Sequence, residues 1–424
     1  MGKRRSSWAW VPSLYFAEGL PYVLIVTVSA IMFKQMGISN AQVALYTSWL
    51  YLPWVIKPLW SPFVDIARTK RWWLLLTQTI LGAGFAAIAL TLNTTSFLKW
   101  TIAILWLLAF SSATHDISID GFYLLGLDDG EQSMFVGIRN TAYRIAMIAG
   151  NGGLLVVVGL IEKHSTTAFA WSVGFLIVGA IMILLALYHS AVLPRPDGDT
   201  PLTVSGKQVL KEFGQTFVSY FKKPDIITAL LFILLFRFPE AQLGKIAPLF
   251  LIDSIENGGL GLSTEQLGLA QGTLGVIGLL AGGILGGITL SRYGLRKCIW
   301  WMVAAISLPD MVYVFLSWFP TDSIITVSSC IFIEQLGYGF GFTAYTLFLM
   351  YLARGSHSTS HYAISTGIMA LGMMLPGMIS GSLQQAMGYR TFFVWIMGCC
   401  LVTCLVSALI KYEPDFGKKK QNSI

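Results

Sequence analysis

A run of apolar residues in this sequence carries acidic side chains where a membrane would surround them. Residues 101–127 are long enough to cross a bilayer, which needs about 20 apolar residues. Yet the segment AFSSATHDISIDGFYLLGL (109–127) contains His115, Asp116 and Asp120. A carboxylate in a spanning helix is unfavourable by about 3 kcal/mol unless it faces protein or water. Because Asp116 and Asp120 are four residues apart, they share one helix face, which we expect to line a polar path.

The composition agrees with a chain that lies largely in a membrane. Of the 424 residues, 55% are hydrophobic and 12% are charged, and the mean hydropathy is +0.68. The apolar run after Lys3, Arg4 and Arg5 is too long for a cleaved signal peptide. All five cysteines fall in apolar stretches, so we expect neither disulfides nor a metal site. We attribute the net charge of +7 to membrane topology and expect no nucleic-acid partner.

Hydropathy predicts twelve spans, which we number in chain order. They lie at 11–33, 41–62, 72–93, 100–125, 134–161, 168–191, 225–252, 265–290, 297–319, 323–352, 362–386 and 390–411. The sequence thus predicts an all-α membrane protein with an N-terminal six-helix bundle (1–192), a linker (193–224) and a C-terminal six-helix bundle with a short basic tail (225–424). The linker is polar, with a short surface helix expected at 203–221. Glycines spaced by four in spans 8, 10 and 11 predict close helix packing.

The distribution of basic residues predicts the orientation. With a cytoplasmic N-terminus, 19 of the 28 Lys and Arg residues lie in cytoplasmic segments, four lie outside and five lie within spans. Cytoplasmic loops carry the excess of positive charge in membrane proteins. We therefore expect both termini and the linker in the cytoplasm.

Two loops at matching positions of the two halves resemble each other. The loop after span 2 reads SPFVDIARTKRW (61–72), and the loop after span 8 reads GGITLSRYGLRK (286–297). A repeat of six plus six helices with a cytoplasmic linker is the plan of the major facilitator superfamily. The second loop is similar to the signature of that superfamily, whereas the first keeps Asp65 but not the glycine pattern. We interpret Asp65 and Arg292 as gate residues, with ordinary cytoplasmic charge as the alternative.

Several further blocks resemble the muropeptide permease (AmpG-like) family of this superfamily. They are YFAEGLPYVL (15–24), KPLWSPFVD (57–65), AFSSATHDISIDGF (109–122), YRIAMIAGNGG (143–153) and IEQLGYGFGFTAY (333–345). The resemblance implies a proton-driven importer of N-acetylglucosaminyl-anhydro-N-acetylmuramyl compounds. The wider family also includes carriers of acetyl-CoA and of other amino-sugar compounds. The sequence departs from the family at Glu18 and Arg139.

Carboxylates in spans 1 and 4 are the first site candidates. Glu18 precedes Gly19 and Pro21, and we interpret it as a substrate-binding or proton site, with an ion pair to Lys57 or to an arginine of span 5 as the alternative. Asp116 is our candidate for proton coupling, because a desolvated carboxylate can carry a proton.

Asp120 is assigned to a gate with Arg139 or Arg144, which begin span 5 at the same side, and the same kind of gate pair is the alternative for Asp116. His115 is interpreted as a packing residue.

Cations in spans 5 and 7 are candidates for solute recognition. Asn140 and Arg144 share one face of span 5, and an arginine fork suits a carboxylate or the oxygens of a sugar. Span 7 holds Arg237, Glu240 and Lys245 within nine residues. Arg237 and Lys245 are assigned to substrate binding and Glu240 to proton coupling, although Arg237 and Glu240 could simply neutralise each other. Helices 1, 4, 7 and 10 line the central cavity in this superfamily.

Span 10 contributes a stripe of Glu334, Tyr338 and Tyr345, spaced by four and seven. We interpret this stripe as substrate-binding, because tyrosine faces stack on sugar rings while their hydroxyls form hydrogen bonds. Packing is the alternative for any aromatic stripe. Trp49, Tyr51 and Trp54 of span 2 are assigned to packing or to the interfacial belt.

The sequence contains no nucleotide-binding or nucleophile motif, so active transport must use an ion gradient and no cofactor. We therefore predict a monomeric secondary transporter of the inner membrane that imports an amino-sugar disaccharide or muropeptide with a proton. One alternative keeps the fold but imports another glycoconjugate or exports a small amphipathic compound. The other alternative is a membrane-bound transferase with His115 and Asp116 at its centre, against which the repeat argues.

Overall fold

Helices make up the secondary structure of the described chain. The computed structural model describes residues 6–196, 198–200, 206–354 and 358–413, and these ranges contain helices and no strand. The longer helices are Val11–Val23, Ser29–Gln35, Asn40–Trp49, Leu52–Ala67, Lys70–Thr91, Phe97–Gly126, Asp129–Ile148, Leu154–Glu162, Thr167–Val192, Gly206–Phe221, Ile226–Leu235, Phe238–Ile252, Val276–Tyr293, Leu295–Ser307, Met311–Trp318, Ile324–Ala353 and Ser358–Leu409. The all-α prediction is confirmed for these residues.

Within the described chain, ten helical stretches are long and apolar enough to cross a membrane, against the twelve that the sequence predicts. Spans 11 and 12 run together as the stretch Ser360–Leu409. Gly388 interrupts this stretch with a φ of +75°, a conformation that glycine adopts without strain, so the residues before and after it form two separate helices.

Span 2 accounts for the other difference, since the prediction of one continuous helix at 41–62 is wrong. The structure has two shorter helices, Asn40–Trp49 and Leu52–Ala67. Pro53, at the start of the second helix, lacks an N–H and its ring would clash with the carbonyl of Trp49 in a continuous helix. The first helix therefore ends at Trp49.

Three spans contain wider, π-type turns. They lie at Leu24–Val28 in span 1, Ala149–Gly153 in span 5 and Gly268–Gly275 in span 8. The first follows Pro21, whose missing N–H weakens the hydrogen bonding of the helix, and the other two are rich in glycine. Such turns often lie near functional sites, and two of them interrupt helices that carry candidate residues.

The chain forms two compact units, Met1–Gly37 with Leu50–Lys211, and Ile38–Trp49 with Glu212–Ile424. The boundary between the units at Lys211 and Glu212 divides the predicted linker. The sequence places residues 38–49 in the first half, whereas the structure groups them with the second unit.

The first unit buries an apolar core between spans 1 and 4 that includes Trp10, Leu14 and Phe122. Its linker segment is attached to the loop after span 2. The carboxylate of Asp199 accepts hydrogen bonds from the backbone N–H groups of Lys70 (2.6 Å) and Arg71 (3.0 Å), at the N-terminus of span 3. A carboxylate is favourable there because it pairs with unsatisfied N–H groups of the helix.

In the second unit, glycines hold spans 8 and 10 close together, and Gly282 belongs to the set whose spacing of four predicts close packing. A Cβ atom on Gly282 would lie 2.0 Å from the Leu336 carbonyl oxygen, and one on Gly339 would lie 2.1 Å from that of Leu279. No larger residue fits at either position without moving the helices apart.

The helix Asn40–Trp49 is bound to the second unit through a buried polar network. Asn40 Nδ2 donates to Gln384 Oε1 at 2.7 Å and to the Tyr389 hydroxyl at 2.8 Å. The Tyr389 hydroxyl in turn donates to Asp253 Oδ2 at 2.9 Å. These bonds connect the start of span 2 to the ends of spans 7, 11 and 12.

Candidate functional site

The buried Asp116 forms an ion pair with the half-buried Lys57 in the first unit. The Lys57 ammonium lies 3.8 Å from Asp116 Oδ2, and the same oxygen accepts a hydrogen bond from Trp54 Nε1 at 2.9 Å. Oδ1 of Asp116 is buried without a hydrogen-bond partner. Span 4 supplies the carboxylate and the second helix of span 2 supplies both partners. A proton on the Asp116 carboxylate would neutralise it and release Lys57. This pair is therefore a candidate site for proton uptake.

Glu18 lies in the same electrostatic neighbourhood but has a different environment. Its side chain is half-buried, and Oε2 has no hydrogen-bond partner. Asp116, Asp120, Lys57 and Arg139 are its charged neighbours. The alternative of an ion pair between Glu18 and Lys57 does not occur in this structure, because Lys57 lies against Asp116. Glu18 therefore retains hydrogen-bonding capacity for a solute or a proton.

Asp120, Tyr15 and Arg139 form a second cluster at the end of span 4. The Tyr15 hydroxyl donates to Asp120 Oδ1 at 3.3 Å and accepts from Arg139 Nη1 at 3.1 Å, and Arg139 lies 3.7 Å from Asp120. The guanidinium also stacks over the rings of Tyr15 and Tyr123, 5.1 and 5.3 Å from their centroids. The structure thus brings Asp120 together with Arg139, one of the two arginines that the sequence offers as its gate partner.

The other two predicted gate residues are not part of this cluster. The side chain of Asp65 lies outside the described residues. Arg292 is exposed near the end of span 8. Their gate role stays a prediction.

Span 5 places Arg144 near Met147, with Nη1 3.5 Å from the sulfur, and no carboxylate of the described chain forms an ion pair with it. Asn140 is exposed, and Asn151 Oδ1 is buried without a hydrogen-bond partner. A Cβ atom on Gly19 would lie 2.8 Å from the Tyr143 carbonyl oxygen, so this glycine lets spans 1 and 5 approach closely.

Arg237 lies in a break of span 7, between the helices Ile226–Leu235 and Phe238–Ile252. Its Nε donates to Glu240 Oε2 at 3.4 Å, and its Nη2 donates to the Tyr338 hydroxyl. The guanidinium also lies 4.8 Å from the centroid of the Phe342 ring. In this conformation Arg237 and Glu240 neutralise each other, which is the alternative that their spacing allowed, while Tyr338 holds the arginine from span 10.

Tyr345 stabilises the same break from another direction. Its hydroxyl donates to the Ile233 carbonyl at 2.8 Å, and Thr403 Oγ1 donates to the Phe236 carbonyl at 2.8 Å. A helix break frees backbone carbonyls, and in a membrane these need side-chain partners. Tyr345 has no exposed surface here, so its predicted contact with a solute has no support in this conformation.

Glu334 and Lys245 lie in separate environments of the second unit. Glu334 is buried and accepts hydrogen bonds from Gln335 Nε2 at 3.0 Å and from the Tyr313 hydroxyl at 3.4 Å. Lys245 is buried and donates to Thr47 Oγ1 at 3.0 Å, in the helix Asn40–Trp49. The predicted stripe of span 10 is therefore divided, because Glu334, Tyr338 and Tyr345 contact different neighbours.

His115 belongs to a buried chain of polar side chains. Its Nε2 lies 3.0 Å from Gln78 Nε2, while Gln78 Oε1 lies 3.0 Å from His189 Nδ1, and Ser13 Oγ lies 3.0 Å from His189 Nε2. These contacts link spans 1, 3, 4 and 6. They support the packing interpretation of His115, which is turned toward Gln78 while its neighbour Asp116 binds Lys57.

Sequence reasoning missed Trp54, Tyr15 and the importance of Lys57. The signal for Lys57 was its position as a cation within a predicted span, which is unfavourable unless it is paired. Trp54 and Tyr15 carried no comparable signal, because aromatic residues are common in membrane helices. Among the described residues, no group of three His, Cys, Asp or Glu side chains could hold a metal ion.

The sequence profile of the Major Facilitator Superfamily matches residues 13–375. The chain belongs to this superfamily. It is therefore a multi-pass membrane transporter rather than an enzyme, as the sequence predicts.

Two curated relatives cover most of the chain. The anhydromuropeptide permease of Escherichia coli strain K12 is 24% identical over 97% of this chain and 81% of its own length. A putative transporter named AmpG 4 from Rickettsia conorii is 25% identical over 90% of this chain and 91% of its own length. These relatives confirm the resemblance to the muropeptide permease family.

Solved structures show the same fold. The crystal structure of a D-xylose–proton symporter superposes with a TM-score of 0.73 at 12% identity, covering 97% of this chain and 99% of that protein. At this identity the likeness concerns the fold alone.

Proposed function

We propose that this chain imports an amino-sugar disaccharide or muropeptide of the N-acetylglucosaminyl-anhydro-N-acetylmuramyl type, together with a proton. The names of the two curated relatives support the solute, since they match the chain over 97% and 90% of its length. The observation that carries the proposal of coupling is the ion pair between Lys57 and Asp116, in a span where an unpaired charge would be strongly unfavourable.

The ion pair gives coupling a physical basis. While Asp116 is ionised, Lys57 holds it and connects spans 2 and 4. A proton on Asp116 removes the attraction and frees the lysine, so protonation changes which conformation is favoured. Import against a gradient requires that proton and solute bias the same conformational equilibrium. Glu240, paired with Arg237, is the corresponding candidate in the second unit.

The remaining roles are proposed as follows. Eight residues are candidates for contact with the solute in at least one conformation. The first unit supplies Glu18, Asn140 and Arg144, and the second supplies Arg237, Lys245, Glu334, Tyr338 and Tyr345. Asp120 and Arg139, with Asp65 and Arg292, act as a gate.

We also propose the arrangement of the chain in the bacterial envelope. The chain crosses the inner membrane twelve times, keeps both termini in the cytoplasm and works as a monomer without a cofactor. Residues 1–5 and 414–424 lie outside the described part of the chain.

Uptake into proteoliposomes tests the function directly. The purified full-length protein should accumulate labelled N-acetylglucosaminyl-anhydro-N-acetylmuramic acid when an inward proton gradient is imposed, and a protonophore should abolish this accumulation. The panel should include an unrelated glycoconjugate and a small amphipathic cation. Accumulation of another glycoconjugate, or export of the cation, would replace the proposed solute by one of the two alternatives.

A further inference from the structure

Four aromatic rings from spans 1, 2 and 5 meet beside Asp116. The centroid of the Tyr22 ring lies 5.2 Å from that of Trp54 and 6.5 Å from those of Tyr51 and Tyr143. We call these four residues the aromatic cage. Trp54 also donates its indole N–H to Asp116, which attaches the cage to the ion pair.

The cage differs from the apolar core of the same unit. All four of its side chains are half-buried, whereas the core rings of Trp10 and Phe122 are 1% and 0% exposed. The sequence alone predicts packing or an interfacial position for Tyr51 and Trp54. Instead, they contact rings from spans 1 and 5 and lie next to charged groups. Charged groups are unfavourable in contact with lipid, so this position faces the protein interior.

Arg144 directly follows Tyr143, a residue of the cage, in the helix Asp129–Ile148. The described residues provide no carboxylate partner for Arg144, whose guanidinium contacts the Met147 sulfur at 3.5 Å. Lys57, Arg139 and Arg237 by contrast each lie within 4.0 Å of a carboxylate, at 3.8, 3.7 and 3.4 Å. An arginine in a span needs a polar partner, and an anionic solute would supply one.

Further polar atoms around the cage also lack partners. Oε2 of Glu18 and Oδ1 of Asp116 are buried without a hydrogen-bond partner. Buried polar groups in proteins are almost always hydrogen-bonded. Two such atoms beside a set of rings indicate a place where a polar ligand completes the bonding.

We infer that the aromatic cage and Arg144 form a two-part subsite for an acidic saccharide. This inference rests on the proposed function and specifies how its site recognises the solute. The rings accept the apolar C–H face of a sugar, and the Tyr143 hydroxyl bonds to its oxygens. The planar guanidinium of Arg144 binds a carboxylate substituent of the same sugar through two parallel hydrogen bonds.

Two matched solutes separate the parts of this subsite. The first is N-acetylglucosaminyl-anhydro-N-acetylmuramic acid, which has a free lactyl carboxylate, and the second is its methylamide. Their binding to the purified full-length protein is measured by calorimetry at one pH and ionic strength. Wild type should prefer the acid by about tenfold, since a charge-assisted pair is worth about twice a neutral hydrogen bond.

Single substitutions then test the arginine and the ring contact of the subsite separately. Arg144→Gln should bind acid and amide equally, with little change for the amide. Tyr22→Leu should weaken both solutes by about the same factor, roughly tenfold, because the ring contact does not depend on the carboxylate. Tyr22→Phe keeps the ring and should retain most of the affinity, which shows that a loss in Tyr22→Leu is not caused by misfolding.

Trp100→Leu serves as the matched control, because this tryptophan belongs to the same unit but is 56% exposed and outside the cage. It should bind both solutes like wild type. The subsite is wrong if Arg144→Gln weakens acid and amide equally, or if Tyr22→Leu leaves both unchanged, while wild type still binds them. A wild type that binds neither solute overturns the proposed function and the subsite with it.

Discussion

Asp116 and Asp120 lie one helical turn apart but have different surroundings. Asp116 is buried against Lys57 and Trp54, whereas Asp120 is half-exposed and bound to Tyr15 and Arg139. The sequence could place both on one face. The structure adds that each carboxylate lies within 4.0 Å of its own cation, Lys57 at 3.8 Å and Arg139 at 3.7 Å.

We expect Asp116→Asn to separate binding from coupling. Asparagine resembles the protonated carboxyl, so the variant should bind the solute and exchange it across the membrane but fail to concentrate it under an imposed proton gradient. Proteoliposome exchange and accumulation are measured side by side. Asp120→Asn is the control and should lower all fluxes together, because it weakens a gate. Accumulation by Asp116→Asn would move coupling to Glu18, Glu240 or Glu334.

The Lys57–Asp116 pair makes a separate prediction about stability. Lys57→Met leaves a buried carboxylate without its cation, and we expect the free energy of unfolding to fall by about 3 kcal/mol. The double variant with Asp116→Asn removes the unpaired charge and should recover most of that loss. Thermal unfolding of the purified variants in detergent checks both expectations. Equal destabilisation in the single and double variants would contradict a structural pair.

At the scale of elements, breaks in two helices create the local geometry of the site. Span 7 breaks at Arg237, and side chains from spans 10 and 12 bind the carbonyls of Ile233 and Phe236. Span 2 breaks before Pro53, which allows Asn40–Trp49 to pack against spans 7 and 11 within the second unit. The break also lets Trp54 and Lys57 belong to the first unit.

Glycine at position 381 should be required for the packing of Asn40–Trp49. A Cβ atom there would lie 2.2 Å from the Asn40 carbonyl oxygen, whereas one on Gly398 would meet no atom within 4 Å. Gly381→Ala should therefore lower the unfolding temperature by several degrees. Gly398→Ala should be neutral or slightly stabilising, by up to about 1 kcal/mol, because alanine is the better helix former. If both variants unfold at the same temperature, the close approach at Gly381 is wrong.

At the scale of the whole molecule, topology remains a prediction from charge. In a cysteine-free background, Thr200→Cys in the linker should not react with an impermeant maleimide in intact cells. Thr95→Cys, in the loop between spans 3 and 4, should react, because the 19-to-4 distribution of basic residues places that loop outside. Labelling of the linker position together with protection of the loop would reverse the orientation.

The sequence by itself determined the class of fold. Long apolar runs leave a chain in a membrane few choices other than helices, since every backbone polar group must be bonded within the segment. The repeat of the loops after spans 2 and 8 then indicated the superfamily, which the profile match confirms. The sequence also identified Asp116, Asp120, Arg144 and Arg237 as candidates, because charges in apolar runs are unfavourable without a reason.

Only the tertiary structure decided which charges pair. Lys57 and Asp116 are 59 residues apart, Asp120 contacts a tyrosine 105 residues away, and the partners come from different helices. Periodicity assigns residues to a helix face, but it does not say which helix that face meets. The divided stripe of span 10 and the aromatic cage have the same origin. The neighbours of these residues depend on long-range packing and on the helix breaks at Arg237 and Pro53. The pattern of residues within a single helix does not determine either of them.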